Sequence, residues 1–562
     1  MRATSIGHAG ILIETSHGSI LCDPWFEPAF FGSWFVFPRN DQLDADLTAR
    51  IEAADYLFVS HLHADHFDVP WLREHLRRDI TVLLPGYPTR EQERRLQALG
   101  FDTFLRTQDG VEQQLAGELR VAIHVETSIT DGPGGDSALV VSDGESRLVN
   151  QNDCRTTDLD ALRSHGPVDL HWLQYSGAIW YPMVYDEPPE RMRRLVDAKV
   201  ESQFARAMRY VESIAATAVV PSAGPPCFLD EELFHLNVIN GDEPSIFWDQ
   251  PSFLARLDES GHRGVLAMPG TAVTVENGEI SIEHPVPDDE MARNWTHKER
   301  VLREYQQDWA GWLKAEHDRW EVPHTDLAAT LSAWWQPLLR MAPTLRRAIG
   351  APCLLVAGDV EILVDFDAGE VRLHAGEPYG FRFEIDRALV ETVVAERAVD
   401  WSNSLFLSCR FRAWREGDFN EYVYNFFKSL SVERMRRTEA EARRKLDPPT
   451  EQEPDITLGD YVVARRCPHR NADLSVFGEI QTVDGCDEVV CTLHGWRFDA
   501  ETGRCLTSAD TRCASSAGRT TDGLQPPHSP CTQTGVVSGT RSEPQMKSIA
   551  GTDTRTQPCD AG

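Results

Sequence analysis

Three histidines and an aspartate fall within six residues in His61-Leu62-His63-Ala64-Asp65-His66. Imidazoles and a carboxylate packed this densely suit one or two metal ions. His61 and His63 could hold one, and Asp65 and His66 the other. A second ligand set lies far downstream, in Cys467-Pro468-His469 and Cys491-Thr492-Leu493-His494, with 21 residues between the two pieces. One Cys and one His on each of two loops is the donor set of a two-iron, two-sulfide cluster, where one iron takes two thiolates and the other two imidazoles. Zinc sites more often pair C-x₂₋₄-C with H-x₃₋₅-H, so the alternation disfavours zinc. An electron-transfer cluster is of no use to a hydrolase. Its presence argues that the first site does redox chemistry with iron and dioxygen.

Both sets need loops held by strands. Tyr56-Leu57-Phe58-Val59 is a short apolar run that leads into the first motif, and a helix starting near Val69 follows it. Similar runs at 11–14, 19–22, 81–84, 138–141 and 147–150 alternate with helical stretches such as 89–99, which opens on a Thr cap and closes before Gly100. The pattern predicts a layered α/β domain over residues 1–285. Residues 286–445 are dense in Trp, Arg and Glu. They show helical periodicity in 298–320 and 325–348 and strand-like runs at 353–357 and 360–366, which predicts an α+β middle region. The alternating charges of 433–445 read as a solvated linker helix. Residues 446–454 are a Pro-rich linker, and 455–508 form a small all-β unit around the Cys/His loops. Residues 509–562 contain no aromatic residue and predict a disordered tail. The fold class is thus multidomain α/β.

Composition narrows the function. The 562 residues carry a net charge of −33, which argues against nucleic acid as a partner. It also disfavours a strongly anionic substrate, unless a local basic pocket overrides the mean field. No run of 18 apolar residues occurs, so no membrane span is expected, and the N-terminus lacks the apolar core of a signal peptide. A cytoplasmic protein is expected, with its 12 cysteines reduced. Cys486 and Cys505 flank the cluster motif at the wrong spacing for ligands.

The segment from Arg465 to Cys505 closely resembles the Rieske [2Fe-2S] domains of oxygenases over about 40 residues. The histidine motif resembles that of the metallo-β-lactamase fold, as do Gly7-His8-Ala9-Gly10-Ile11-Leu12-Ile13 and Asp23-Pro24-Trp25. That likeness implies an αββα sandwich. It also implies a bridging Asp after a late strand, where Asp153 fits, and two further His ligands. The segment 124–136 offers only His124 and Asp131, and Val220-Pro221-Ser222-Ala223-Gly224-Pro225 offers no histidine. His235 and His262 are poor substitutes. The hydrolytic two-metal set is therefore incomplete, and the open positions suit an oxygen-activating iron.

More specifically, Asp23-Pro24-Trp25-Phe26-Glu27-Pro28-Ala29-Phe30, Ser60 to His66, Asn152-Asp153-Cys154 and the aromatic-rich 405–430 resemble the cytidine monophosphate N-acetylneuraminic acid hydroxylase family. There the Rieske domain is N-terminal; here it is C-terminal. The resemblance implies an iron-dependent monooxygenase with iron at His61, His63, Asp65, His66 and Asp153, of which Asp65 and Asp153 are the catalytic candidates. The cluster would be held by Cys467, His469, Cys491 and His494. Expected partners are O2, a small-molecule substrate (a nucleotide sugar or an amine or amino-acid-derived metabolite), and an external ferredoxin, cytochrome or reductase. No dinucleotide fingerprint is present: Gly132-Pro133-Gly134-Gly135 opens no helix. The alternative is a lactonase- or phosphodiesterase-class hydrolase with a redox-sensing cluster.

Overall fold

The structure is a computed structural model that describes residues 1–126, 135–156, 158–323, 326–417, 419–446, 454–467, 473–483, 485–491, 496–504 and 506. Its N-terminal part is built on two sheets. Strands β1 (Arg2–Gly7), β2 (Gly10–Thr15), β3 (Gly18–Cys22), β4 (Tyr56–Phe58), β5 (Thr81–Leu84) and β6 (Phe104–Arg106) belong to the first. Strands β7 (Gln113–Ala116), β8 (Leu119–Glu126), β9 (Asp136–Ser142), β10 (Arg147–Asn152), β11 (Leu170–Gln174) and β12 (Ala218–Ser222) form the second. The chain then returns through β13 (Ala272–Glu276) and β14 (Glu279–Glu283) to complete an eight-stranded first sheet, order β14-β13-β1-β2-β3-β4-β5-β6. The second sheet has the order β12-β11-β10-β9-β8-β7.

Side-chain alternation sorts the core. Ile11, Ile13, Ile20, Cys22 and Phe58 point between the sheets and meet Val121, Leu139, Leu148 and Trp172. Their neighbours Leu12, Leu21, Leu57 and Val59 face the other way, against the helices Ala45–Glu52, Val69–His75 and Glu91–Ala98. On the far face of the second sheet, Leu173 and Val219 pack on the helices Pro189–Ile214 and Gln250–Glu259. The strands read as near-continuous apolar runs because both faces are covered. The result is the expected αββα sandwich. The third of its outer helices begins at Glu91 and has no side-chain cap, so the Thr89 cap is not used.

The helix Lys298–Asp318 packs Leu302, Tyr305 and Leu313 on Phe35, Phe37, Cys227 and Leu229 of the N-terminal part. A separate five-stranded sheet follows. Its strands are β15 (Cys353–Ala357), β16 (Val360–Asp365), β17 (Glu370–Leu373), β18 (Phe381–Ile385) and β19 (Phe411–Arg415), in the order β17-β16-β15-β18-β19. The charged helix Val432–Leu446 is not a solvated linker. It buries Met435 and Ala442, and the buried Glu439 carboxylate accepts the Thr344 and Leu345 backbone N–H groups at 3.0 and 2.9 Å. Those amides open the helix Pro343–Ile349, so Glu439 caps a helix N-terminus from outside.

Residues 447–453 of the expected linker lie outside the described residues; after them β20 (Ile456–Leu458) pairs with β21 (Tyr461–Val463). A three-stranded sheet joins β22 (Gly478–Val483), β23 (Cys486–Cys491) and β24 (Trp496–Asp499). Cys486 is disulfide-bonded, so not every thiol of the chain is reduced as expected. No helix is long and apolar enough to cross a membrane among the described residues. The predicted tail lies outside the described residues.

Candidate metal centre

One edge of the sandwich collects every element of the site. Strands β3 and β4 are parallel, as are β10 and β11. Their carboxyl ends deliver Asp23, the loop 60–66 and Asp153, as expected of ligand sites in α/β sheets. Strand β1 is antiparallel to β2 and β2 to β3, so the turn after β1, with His8, comes to the same edge. Strand β9 starts there too, with Asp136, because it runs antiparallel to β10.

The 60–66 loop is short and held from several sides. Asp68 caps the following helix by accepting Trp71 N–H at 3.0 Å, and its other oxygen accepts the Phe26 and Glu27 amides, both at 2.8 Å. Asp23 Oδ1 accepts the Ser60 amide at 2.7 Å. The Tyr87 hydroxyl and Ser137 Oγ both donate to the Ser60 carbonyl. Four non-glycine residues at this edge have left-handed backbone: His8 (φ 51°), Asp23 (φ 41°), Asn152 (φ 39°) and Ala223 (φ 48°), whose N–H donates to the His8 carbonyl at 2.9 Å. Such conformations cost of order 1–3 kcal/mol each and gather at functional sites.

His61 and His66 are oriented by their Nδ1 atoms. His61 Nδ1 lies 3.0 Å from Ser60 Oγ and 3.3 Å from Asp136 Oδ1. His66 Nδ1 lies 3.1 Å from Asp23 Oδ2. Carboxylates at Nδ1 hold the proton there and leave the Nε2 lone pairs outward. The Nε2 atoms of His61, His63 and His66 are buried and without a hydrogen-bond partner among the described residues, as are Asp65 Oδ1 and Asp153 Oδ1. Buried polar atoms are rarely left so. The ring centroids of His61 lie 4.3 Å from His63 and 4.2 Å from His66. Donor atoms of His61, His66 and Asp153 lie within 4.8 Å of one another, and so do those of His8, Asp65 and His66. His66 belongs to both groups, but its one Nε2 can bind in only one. This donor set fits a divalent transition metal, with room for a second ion beside it.

The electrostatics favour the donor form of Asp153, Asp65 and His63. Burial opposes a charge on His66, but Asp153 and Asp65 raise its pKa and favour its protonated form until a cation takes that proton's place. Burial opposes ionisation of Asp153, but the positive charge of His66 3.4 Å away outweighs it and holds the pKa at about 2. Burial likewise works against the charge on Asp65, which His66 and the His8 hydrogen bond hold well below the usual carboxylate range. Burial and the neighbouring His61 push His63 well down. All three keep the donor form that a metal needs.

Sequence reasoning brought together His61, His63, Asp65, His66 and Asp153, and the structure places all five at this edge. It missed His8, Asp23 and Asp136. His8 Nε2 donates to Asp65 Oδ2 at 3.0 Å. A two-residue hairpin turn normally asks for Gly, Asn or Asp, and a His there was the available signal. His124 belongs elsewhere: it sits in β8 and faces His165 at 2.8 Å. His235 is exposed on the short turn Phe234–Leu236, and His262 follows the helix Gln250–Glu259; neither shares a donor group with the cluster among the described residues. Asp131 lies outside the described residues. In the C-terminal unit Cys467 and Cys491 are fully buried, Cys491 ending β23. His469 and His494 lie outside the described residues.

Three family models match the chain: a beta-lactamase superfamily domain at 19–222, an Rv3818-like, SCP2-like domain at 327–444, and a Rieske [2Fe-2S] domain at 457–518. The last indicates a [2Fe-2S] cluster. A cytidine monophosphate-N-acetylneuraminic acid hydroxylase of Danio rerio is 30% identical over 32% of this chain and 30% of its own. The diiron beta-hydroxylase CmlA of Streptomyces venezuelae covers 48% of this chain and 53% of its own at 17% identity and a TM-score of 0.31, too low to bear on function. A protein of Mycolicibacterium smegmatis, named as a candidate Rieske 2Fe-2S iron–sulfur protein, is 44% identical over 91% of this chain and 99% of its own. With the sandwich at its N-terminus and the Rieske segment at its C-terminus, this chain belongs to that family of Rieske 2Fe-2S iron–sulfur proteins.

Proposed function

We propose that the chain is an iron-dependent Rieske-type monooxygenase that hydroxylates a nucleotide sugar or a small amine or amino-acid-derived metabolite. The observation that carries this reading is the set of five buried, unpartnered donor atoms in a chain that also has a Rieske segment. The hydroxylase from Danio rerio supports it by partial likeness. Bound iron would supply dioxygen activation and the cluster single electrons, so that substrate, O2, two electrons and two protons give hydroxylated product and water.

The chain's own residues do the rest. His61, His63 and His66 would hold the metal through Nε2, with Asp65 and Asp153 through their free oxygens. Asp23, Asp136 and Ser60 fix the imidazole planes. Asp153 is the more exposed of the two carboxylates, at 14% against 3% for Asp65. That makes it the group placed to exchange a proton with the substrate side. Cys467, His469, Cys491 and His494 would hold the cluster, which an external ferredoxin, cytochrome or reductase would charge. The test is turnover under labelled dioxygen with a reduced donor. One labelled oxygen atom in the product is expected; full turnover under argon with zinc at the first site would mark a hydrolase instead.

A further inference from the structure

The helix Pro189–Ile214 lies over the second sheet and buries Phe204, Ala207, Met208 and Val211 against it. Arg206 flanks that apolar stripe. The residue is half-buried. Arg206 Nη2 approaches Gln174 Oε1 at 3.5 Å. Gln174 ends β11, the parallel neighbour of β10, whose end carries Asp153. The guanidinium therefore stands at the same edge of the sandwich as the metal centre. It has no carboxylate in ion-pair range among the described residues.

Its surroundings add positive charge. Arg155, two residues beyond Asp153, and Arg209, one turn along the helix, both act on it. Burial first, then repulsion by Arg155, brings the Arg206 pKa down to about 10, although Tyr210 and Asp153 pull it upward. A half-buried guanidinium with no carboxylate in ion-pair range among the described residues is stabilised by an anion that completes it. Its planar fork matches a carboxylate or a phosphate. In a chain of net charge −33 this is a local departure from the mean field.

We propose that Arg206 is an oxyanion-binding subsite next to Asp153 that holds a phosphate or carboxylate group of the substrate. It would fix one end of the substrate so that the reacting bond faces the metal edge. The inference rests on the reading that the His61–Asp153 cluster is the reaction centre.

The test is calorimetric titration of the full-length holoprotein with inorganic phosphate and, separately, acetate. Saturable binding of at least one is expected, and the preferred anion identifies the group the substrate carries. Arg206→Gln should weaken binding about tenfold or more, Arg206→Lys less, because the charge remains and the fork is lost. Arg193→Gln, an exposed position whose guanidinium bonds the Asp242 carbonyl, should change nothing. In the wild-type protein the bound anion should protect Arg206 from phenylglyoxal, read by mass spectrometry, which needs no folded variant. Equal affinity in Arg206→Gln and wild type, no saturable binding of either anion, or no protection would each overturn the proposal. Binding is read without turnover. Loss of anion binding in Arg206→Gln together with no labelled oxygen in the product would leave the subsite standing and sink the oxygenase reading.

Discussion

His8 Nε2 donates a hydrogen bond of 3.0 Å to Asp65 Oδ2 and leaves Asp65 Oδ1 buried without a hydrogen-bond partner among the described residues. The bond spans 57 residues and joins the first hairpin turn to the histidine loop. It sets the direction of one carboxylate that the metal would need. His8 is packed in place by Trp25, ring centroids 4.9 Å apart and nearly perpendicular. His8→Asn tests the bond cleanly, because Asn tolerates the left-handed backbone and is too short to reach Asp65. First-site metal affinity should fall about 10- to 100-fold, the usual cost of losing an outer partner of a ligand. Competition with a chelator measures it, and unchanged affinity would remove His8 from the site.

Asp153 should matter differently. Its removal leaves His66 Nε2 without the carboxylate 3.4 Å away, and the metal without an anionic ligand. Asp153→Ala should lower first-site iron content and reduce turnover by about 100-fold or more, on the scale of a lost ligand or acid–base group. The Rieske-type EPR signal should stay intact. Metal analysis and EPR on the same sample check both halves.

Cys491→Ser should do the reverse. Cys491 is fully buried at the end of β23, where only a thiolate serves the cluster. Cluster EPR and oxygenation should disappear while first-site metal remains. Multiple-turnover activity in that variant would break the link between the two centres.

Asp109 supplies a pH test away from the metal. Burial raises its pKa to about 6, partly offset by the Val125 N–H it accepts at 2.9 Å, with Asp158 and Glu126 adding repulsion. The folded pKa lies above the unfolded value, so the protonated form favours folding. That contribution is complete below pH about 4 and is lost as pH rises through about 6. Asn keeps the acceptor for Val125 and never ionises. Asp109→Asn should therefore match wild type in melting temperature near pH 4 and exceed it increasingly toward pH 7. Parallel curves across that range would disprove the assignment.

Much of the site was readable one residue at a time. The spacing His61-x-His63-x-Asp65-His66 encodes a metal loop because ligands a few residues apart cannot avoid one another. The Cys467 and Cys491 loops are equally local signals, and the alternating runs at 11–14, 19–22 and 56–59 encode strands buried on both faces. The charged helix at 433–445 misled, because charge pattern alone cannot tell that Glu439 reaches the Thr344 and Leu345 amides about 95 residues away.

What the sequence by itself determined was the presence of two metal-type centres, the kind of elements that carry them, and five of the residues at the first. Only the tertiary structure decided which distant residues join them. His8, Asp23 and Asp136 arrive at the cluster because parallel and antiparallel strands bring their ends to one edge of a sandwich. That convergence depends on strand order and direction, which no local spacing records. The orientation of His61 and His66 follows from the same packing, since it is set by Asp136 and Asp23 from other strands.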